Sequence, residues 1–201
     1  MAPPPAPQTM KERILHTADK LFYLQGIRAI GVDTIAAEIG ISKRTLYNHF
    51  PSKDALIAAY LERRFVHASP SDKPPAEQIL ATFDSLERRF AAKDFRGCPF
   101  VNAVAELGPT DRAVKKIAIA FKESRRLWFR DRLTELGVAN PDALATQLVL
   151  LVDGSIAQDL VHDDPAMARA AKEAATVLLR NAGVDVGGDA KPAQGRKRPP
   201  R

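Results

Sequence analysis

The sequence predicts an all-α chain of about nine helices. Apolar residues recur at i, i+3, i+4 and i+7 along most of its length, period-two alternation never persists, and Gly or Pro stands where the helical pattern breaks. With 201 residues, 45% of them hydrophobic and 27% charged, the chain is long and apolar enough to bury a core without a disulfide. Its single cysteine, Cys98, cannot form one internally.

Pro3, Pro4, Pro5 and Pro7 exclude helix and leave little to bury, so residues 1–8 read as a disordered arm. Ile14, Leu15, Ala18, Leu21 and Phe22 then share one face of a helix over 9–25, closed by Gly26. Asp33 and Glu38 flank Ile35, Ala36 and Ile39 in a short helix ending at Gly40. Ser42 caps a second short helix that runs to Phe50, where Pro51 stops it, and Ser52 caps a fourth carrying Leu56, Ile57, Tyr60, Leu61 and Phe65. Pro70, Pro74 and Pro75 break the chain, which places a domain division at 68/69. Five more helices are expected over 76–93, 99–107, 111–136, 141–161 and 165–181. The last residues, 183–201, combine Gly, Pro and basic side chains and read as a disordered basic tail.

The stretch GVDTIAAEIGISKRTLYNHF, residues 31–50, is the most informative. Two short helices crossing at a steep angle need a small residue at their closest approach, a residue free to take φ > 0 in the turn, and apolar side chains on both sides. Ala36, Gly40 and Leu46 supply these, with Ile35, Ile39 and Ile41 as the clamp. Any two packed core helices could carry the same spacing. The polar surface that remains, Ser42, Lys43, Arg44, Thr45, Tyr47, Asn48 and His49, suits a helix lying in a DNA major groove.

Extended outward, the pattern resembles the DNA-binding domain of the TetR family of bacterial transcriptional regulators. Leu21, Phe22, Gly26, Ile35, Ala36, Gly40, Leu46, Tyr47, Phe50, Lys53 and Leu56 all match it, over Met10 to about Phe65. The resemblance implies a three-helix helix-turn-helix head over 9–68 and a C-terminal helical body over 69–182 that binds an effector and dimerises. It further implies that Ser42 caps the recognition helix and that Lys43, Arg44 and Thr45 face base edges and nearby phosphates. Tyr47, His49 and Lys53 would hold phosphates, leaving sequence discrimination mainly to Lys43, Arg44 and Asn48. Where the family often starts its second helix with Thr, this chain has Gly31, a cap weaker by a few tenths of a kcal/mol. Phosphate contact there falls to backbone N–H groups or to Thr34.

In the body, Leu144, Leu148, Leu151, Val152, Ser155 and Ile156, with Ala171, Ala174 and Leu178 on the last helix, are the expected dimer interface; ordinary core is the other reading. RGCPFVNAVAEL, residues 96–107, resembles a stretch of one subgroup of these regulators. Cys98, Phe100, Asn102 and Glu106 there, with Phe121 and Trp128 on the long helix opposite, are the expected walls of an effector pocket, each with a plain structural role as its alternative. Cys98 reads as a buried inert thiol or as a redox sensor.

Charge is unevenly placed: residues 1–68 and 183–201 each carry a net +3, while 69–182, with 16 basic and 16 acidic residues, are neutral. No phosphate loop, nucleophile elbow or metalloprotease pair occurs, and the four histidines lack ligand spacing; an enzyme, a cofactor and a bound metal are not expected. Without a signal peptide pattern or an apolar run near the roughly 20 residues of a membrane span, the expected location is the bacterial cytoplasm, on the nucleoid when DNA-bound. The expected partners are a palindromic double-stranded DNA operator, a second copy of the chain and a small-molecule effector, the protein acting as a repressor. A DNA-binding regulator without an effector, or a nonspecific architectural DNA binder using the basic tail, are the alternatives.

Overall fold

A computed structural model describes residues 9–66, 71–108 and 111–187. The proline-rich arm, the 68/69 division, His67 and most of the basic tail lie outside these residues. The described chain is helical throughout: α1 (Met10–Gln25), α2 (Val32–Glu38), α3 (Lys43–His49), α4 (Lys53–Arg64), α5 (Pro75–Phe90), α6 (Pro99–Leu107), α7 (Arg112–Glu135), α8 (Pro141–His162) and α9 (Ala166–Asn181).

Local chemistry sets these boundaries. Thr9 and Glu12 form a reciprocal capping box that starts α1, and Ser52 accepts the Ala55 N–H to start α4. Asp111 and Asn140 cap α7 and α8 in the same way. Helix α5 ends at Phe90, short of the expected Lys93, because the chain folds into tight turns that bring Phe95 back onto Phe90 with ring centroids 5.0 Å apart.

Helices α1 to α4 form the N-terminal unit. Ile14, Ala18 and Phe22 of α1 are buried against Ile35 of α2, Leu46 of α3 and Leu56, Ile57, Tyr60 and Leu61 of α4. Each large apolar side chain contributes about 1.5–3 kcal/mol by leaving water. Helix α4 also packs on α6 and α7, so it belongs to both halves of the molecule. In the C-terminal unit α7 lies between α6 and α8, while α5, α8 and α9 pack around Phe83, Leu148, Val152 and Ala175.

Two expectations are corrected. Helix α8, 22 residues long, is by length and composition apolar enough to cross a membrane, so the chain does hold such a run. Its buried face is packed between α7 and α9, as in a core helix. Within the expected tail, Val184 is buried and its N–H donates to the Leu179 carbonyl, so this part of it closes the end of α9.

Candidate nucleic-acid interface and interior cavity

The short helix α3 stands on Leu46, which is wholly buried, and on Phe50, which is nearly so. Between α2 and α3 the backbone turns at Gly40 with φ +71°, the conformation for which a glycine is needed there. Ser42 caps α3 by accepting the Thr45 N–H at 3.1 Å, while α2 begins at Gly31 without a side-chain cap. Anchored from below, α3 exposes Lys43, Arg44, Tyr47, Asn48 and His49 together, with Thr34 exposed on the first turn of α2.

Three of the expected contact residues are engaged within the chain. Lys43 donates to Asp33 at 2.9 Å, a bond that raises the ammonium pKa above the usual lysine range. Thr45 is half-buried, its hydroxyl 2.9 Å from that of Ser42, so it belongs to the cap. Lys53 donates to the Ile27 carbonyl at 2.7 Å and lies over the Phe22 ring; an ammonium has three donors, so a phosphate can share it.

Besides the packing of α4 on α6 and α7, hydrogen bonds tie the N-terminal unit to the rest of the molecule. The Tyr23 hydroxyl donates to the Gly97 carbonyl at 3.1 Å and accepts the Arg96 N–H at 2.9 Å. Glu106 of α6 accepts the Arg28 N–H at 3.0 Å, beside Gly26, where φ is +96°. A Cβ at Gly26 would meet the Glu106 carboxylate at 3.0 Å. Glu106 is therefore a strut to the turn after α1. Asn102 is likewise occupied, donating to the Arg96 carbonyl at 2.6 Å to close the turn before α6.

The other four expected pocket residues do line cavities. One cavity of about 450 Å³ lies between α5 and α7, with Phe121, Trp128 and Phe129 as its aromatic wall. A second of about 470 Å³ is bordered by Cys98, Phe100 and Phe121. Phe100 and Phe121 stack at 3.9 Å, and Phe65 at the end of α4 meets both rings edge-on. Val66 and Arg125 border both cavities together with Phe121. Arg125 was not an expected site residue, because basic residues on a charged helix read as solvated. Its position four residues from both Phe121 and Phe129 was the available signal, since it puts the guanidinium on their apolar face.

The expected dimer residues divide by burial. Leu144, Leu148, Val152, Ser155, Ile156 and Ala171 are buried within the single chain, and the Ser155 hydroxyl donates to the Val152 carbonyl, so their packing is already supplied by this chain's own core. Leu151, Ala174 and Leu178 are half-buried. The accessible stripe on α8 is instead Gln147, Leu150, Leu151, Gly154, Gln158 and Val161, with Leu150 65% and Val161 75% exposed, next to Val177 of α9 at 54%. Periodicity alone could not tell this stripe from the buried one, because α8 is apolar on nearly every side.

The profile of the bacterial regulatory proteins of the tetR family matches residues 14–60, and that of the LmrA/YxaF-like transcriptional regulator C-terminal domain matches residues 75–174. The chain belongs to the TetR family. A TetR transcriptional regulator from Streptomyces avermitilis is similar over 89% of this chain and 100% of its own, with 31% identity and a TM-score of 0.78. A TetR-family regulator from Streptomyces coelicolor is 30% identical over 85% of this chain and 94% of its own, with a TM-score of 0.74. The HTH-type transcriptional regulator YxaF of Bacillus subtilis is 26% identical over 86% of this chain and 96% of its own. The protein is thus a DNA-binding transcriptional regulator with a helix-turn-helix head.

Proposed function

We propose that this TetR-family chain is a homodimeric repressor of the bacterial cytoplasm, bound to the nucleoid through a palindromic operator and released from it by a small-molecule effector. Residues 9–66 are the reading head and 71–187 the body. The observation that carries the reading is the exposed face of α3, where Arg44, Tyr47 and Asn48 stand free over a helix locked from beneath by Leu46 and Phe50. Arg44 and Asn48 read base edges, joined by Lys43 once phosphates compete for its bond to Asp33; Tyr47, His49, Lys53 and Thr34 position the head on the backbone. The stripe of Leu150, Leu151, Gly154 and Val161 on α8, with Ala174, Val177 and Leu178 of α9, pairs two copies so that both heads meet half-sites one helical turn apart, about 34–36 Å.

Release works by differential affinity. An effector in the cavities bordered by Phe121 presses on Phe65 and Phe100, so it favours one placement of α4 and α6 over another. The struts from Tyr23 and Glu106 carry that placement to the head.

Selection from random duplex DNA with the purified protein, at two salt concentrations, tests this reading. The expected result is a palindrome whose half-sites are about one turn apart, and in vitro transcription from a promoter overlapping it should fall when protein is added. No enriched sequence, with binding that collapses uniformly as salt rises, would replace it with a nonspecific binder.

A further inference from the structure

The two cavities share Val66, Phe121 and Arg125 in their walls, and Arg125 is the one charged side chain of the three. Arg125, half-buried on α7, borders both, and its guanidinium lies over the Phe121 ring 5.1 Å from the centroid. The neighbouring cations of α7 are paired: Lys122 with Asp153, Arg126 with Glu123 and Asp142, Arg130 with Asp131, Arg132 with Glu135. Arg125 has no hydrogen bond or ion pair to any of the described residues.

The acids within reach are already neutralised. Asp153 is held by Lys122 at 2.5 Å, and Asp19, the one carboxylate bordering the second cavity, is gripped by two nitrogens of Arg64 at 2.6 and 2.9 Å. That cavity is also bordered by Arg63 and Arg89, so its unneutralised charge is positive. The first cavity has no carboxylate in its lining. Burial pulls the Arg125 pKa below the usual arginine range, and the like charge of Arg89 adds to this. Guanidinium stays protonated regardless, so the site holds a partly desolvated cation without its counter-charge.

A planar guanidinium of this kind takes a carboxylate bidentately. Trp128 and Phe129, one turn along α7 from this charge, line the first cavity with it, and a volume of about 450 Å³ accommodates a flat body of two fused rings or a medium acyl chain. We infer that the effector is an amphipathic organic anion, its carboxylate paired with Arg125 where the two cavities meet and its apolar body against Trp128 and Phe129. This rests on the reading of the interior cavity as the effector site.

The test uses 2-naphthoate and its uncharged isostere 2-naphthamide as probes on the full chain. Binding is read from the fluorescence of Trp128, the single tryptophan of the sequence. The intact protein should bind the anion about 10- to 100-fold more tightly than the amide, the range expected for a charged hydrogen-bonded pair. Arg125→Gln should bring the two to equal affinity, and Arg125→Lys should keep part of the preference. Since Arg125→Gln removes an unpaired charge, its thermal midpoint should not fall.

Equal binding of anion and amide by the intact protein, or binding of neither up to their solubility limits, would overturn the proposal without recourse to a variant. So would an anion preference that survives in Arg125→Gln. Operator release is scored separately: an Arg125-dependent anion preference without release upholds the anion site and removes the effector reading.

Discussion

Two residues, Arg125 and Asp159, hold charge where burial makes charge unfavourable. Asp159 is 3% exposed, and its Oδ1 has no hydrogen-bond partner among the described residues. Burial raises its pKa above the usual aspartate range, helped by the charges of Asp163 and Asp164. An acid whose folded pKa is raised weakens the native state once pH exceeds the unfolded value, about 3.9, and has no such effect below it. Asp159→Asn should therefore stabilise the protein by about 1–3 kcal/mol at neutral pH. Thermal melts should show this gain vanishing as pH falls below about 4; a pH-independent difference would mean the charge is not its source. Neither residue stood out in the sequence, because an unpaired buried charge depends on which neighbours fail to reach it.

At the scale of elements, the sequence is most legible where chemistry is local. The caps at Ser42 and Ser52, the breaks at Gly26, Gly40 and Pro51, and the apolar face of α1 all lie within a few residues of what they determine. Long-range partners were not legible: nothing near Glu106 in sequence indicates the Arg28 N–H, 78 positions away, to which it is bonded. The same limit applies to α8, whose apolar positions did not reveal which side meets α7 and α9. Gly26 joins both scales, its φ of +96° closing α1 while its missing Cβ admits the Glu106 carboxylate. Gly26→Ala should destabilise by about 1–3 kcal/mol through backbone strain, plus the clash. Denaturant unfolding in a double-mutant cycle should find the loss smaller when Glu106 is already alanine. An equal loss in both backgrounds would mean that the carboxylate does not crowd this turn.

For the whole molecule, α4 is the member shared between head and body, packed on α1 at one side and on α6 and α7 at the other. A second copy on the α8 stripe would fix the distance between two heads, so dimerisation and DNA reading are one geometric problem. Leu150→Arg places charge on a side chain 65% exposed in the single chain. It should leave the secondary structure intact while light scattering reports a monomer with weakened operator affinity. Leu148→Arg, two residues away on the opposite, buried face of α8, should fail to fold. An unchanged dimer in Leu150→Arg would move the interface elsewhere.

In the proposed reading α3 reads sequence through Arg44 while Lys53 only positions the head. The most direct measurement compares affinity for the selected operator with affinity for random duplex of the same length, for the natural protein, Arg44→Ala and Lys53→Ala. Arg44→Ala should lose about 1–3 kcal/mol on the operator and much less on random DNA, while Lys53→Ala should weaken both alike and lower the salt slope by about one. Equal losses on both duplexes for Arg44→Ala would contradict the assignment of base reading to the exposed face of α3.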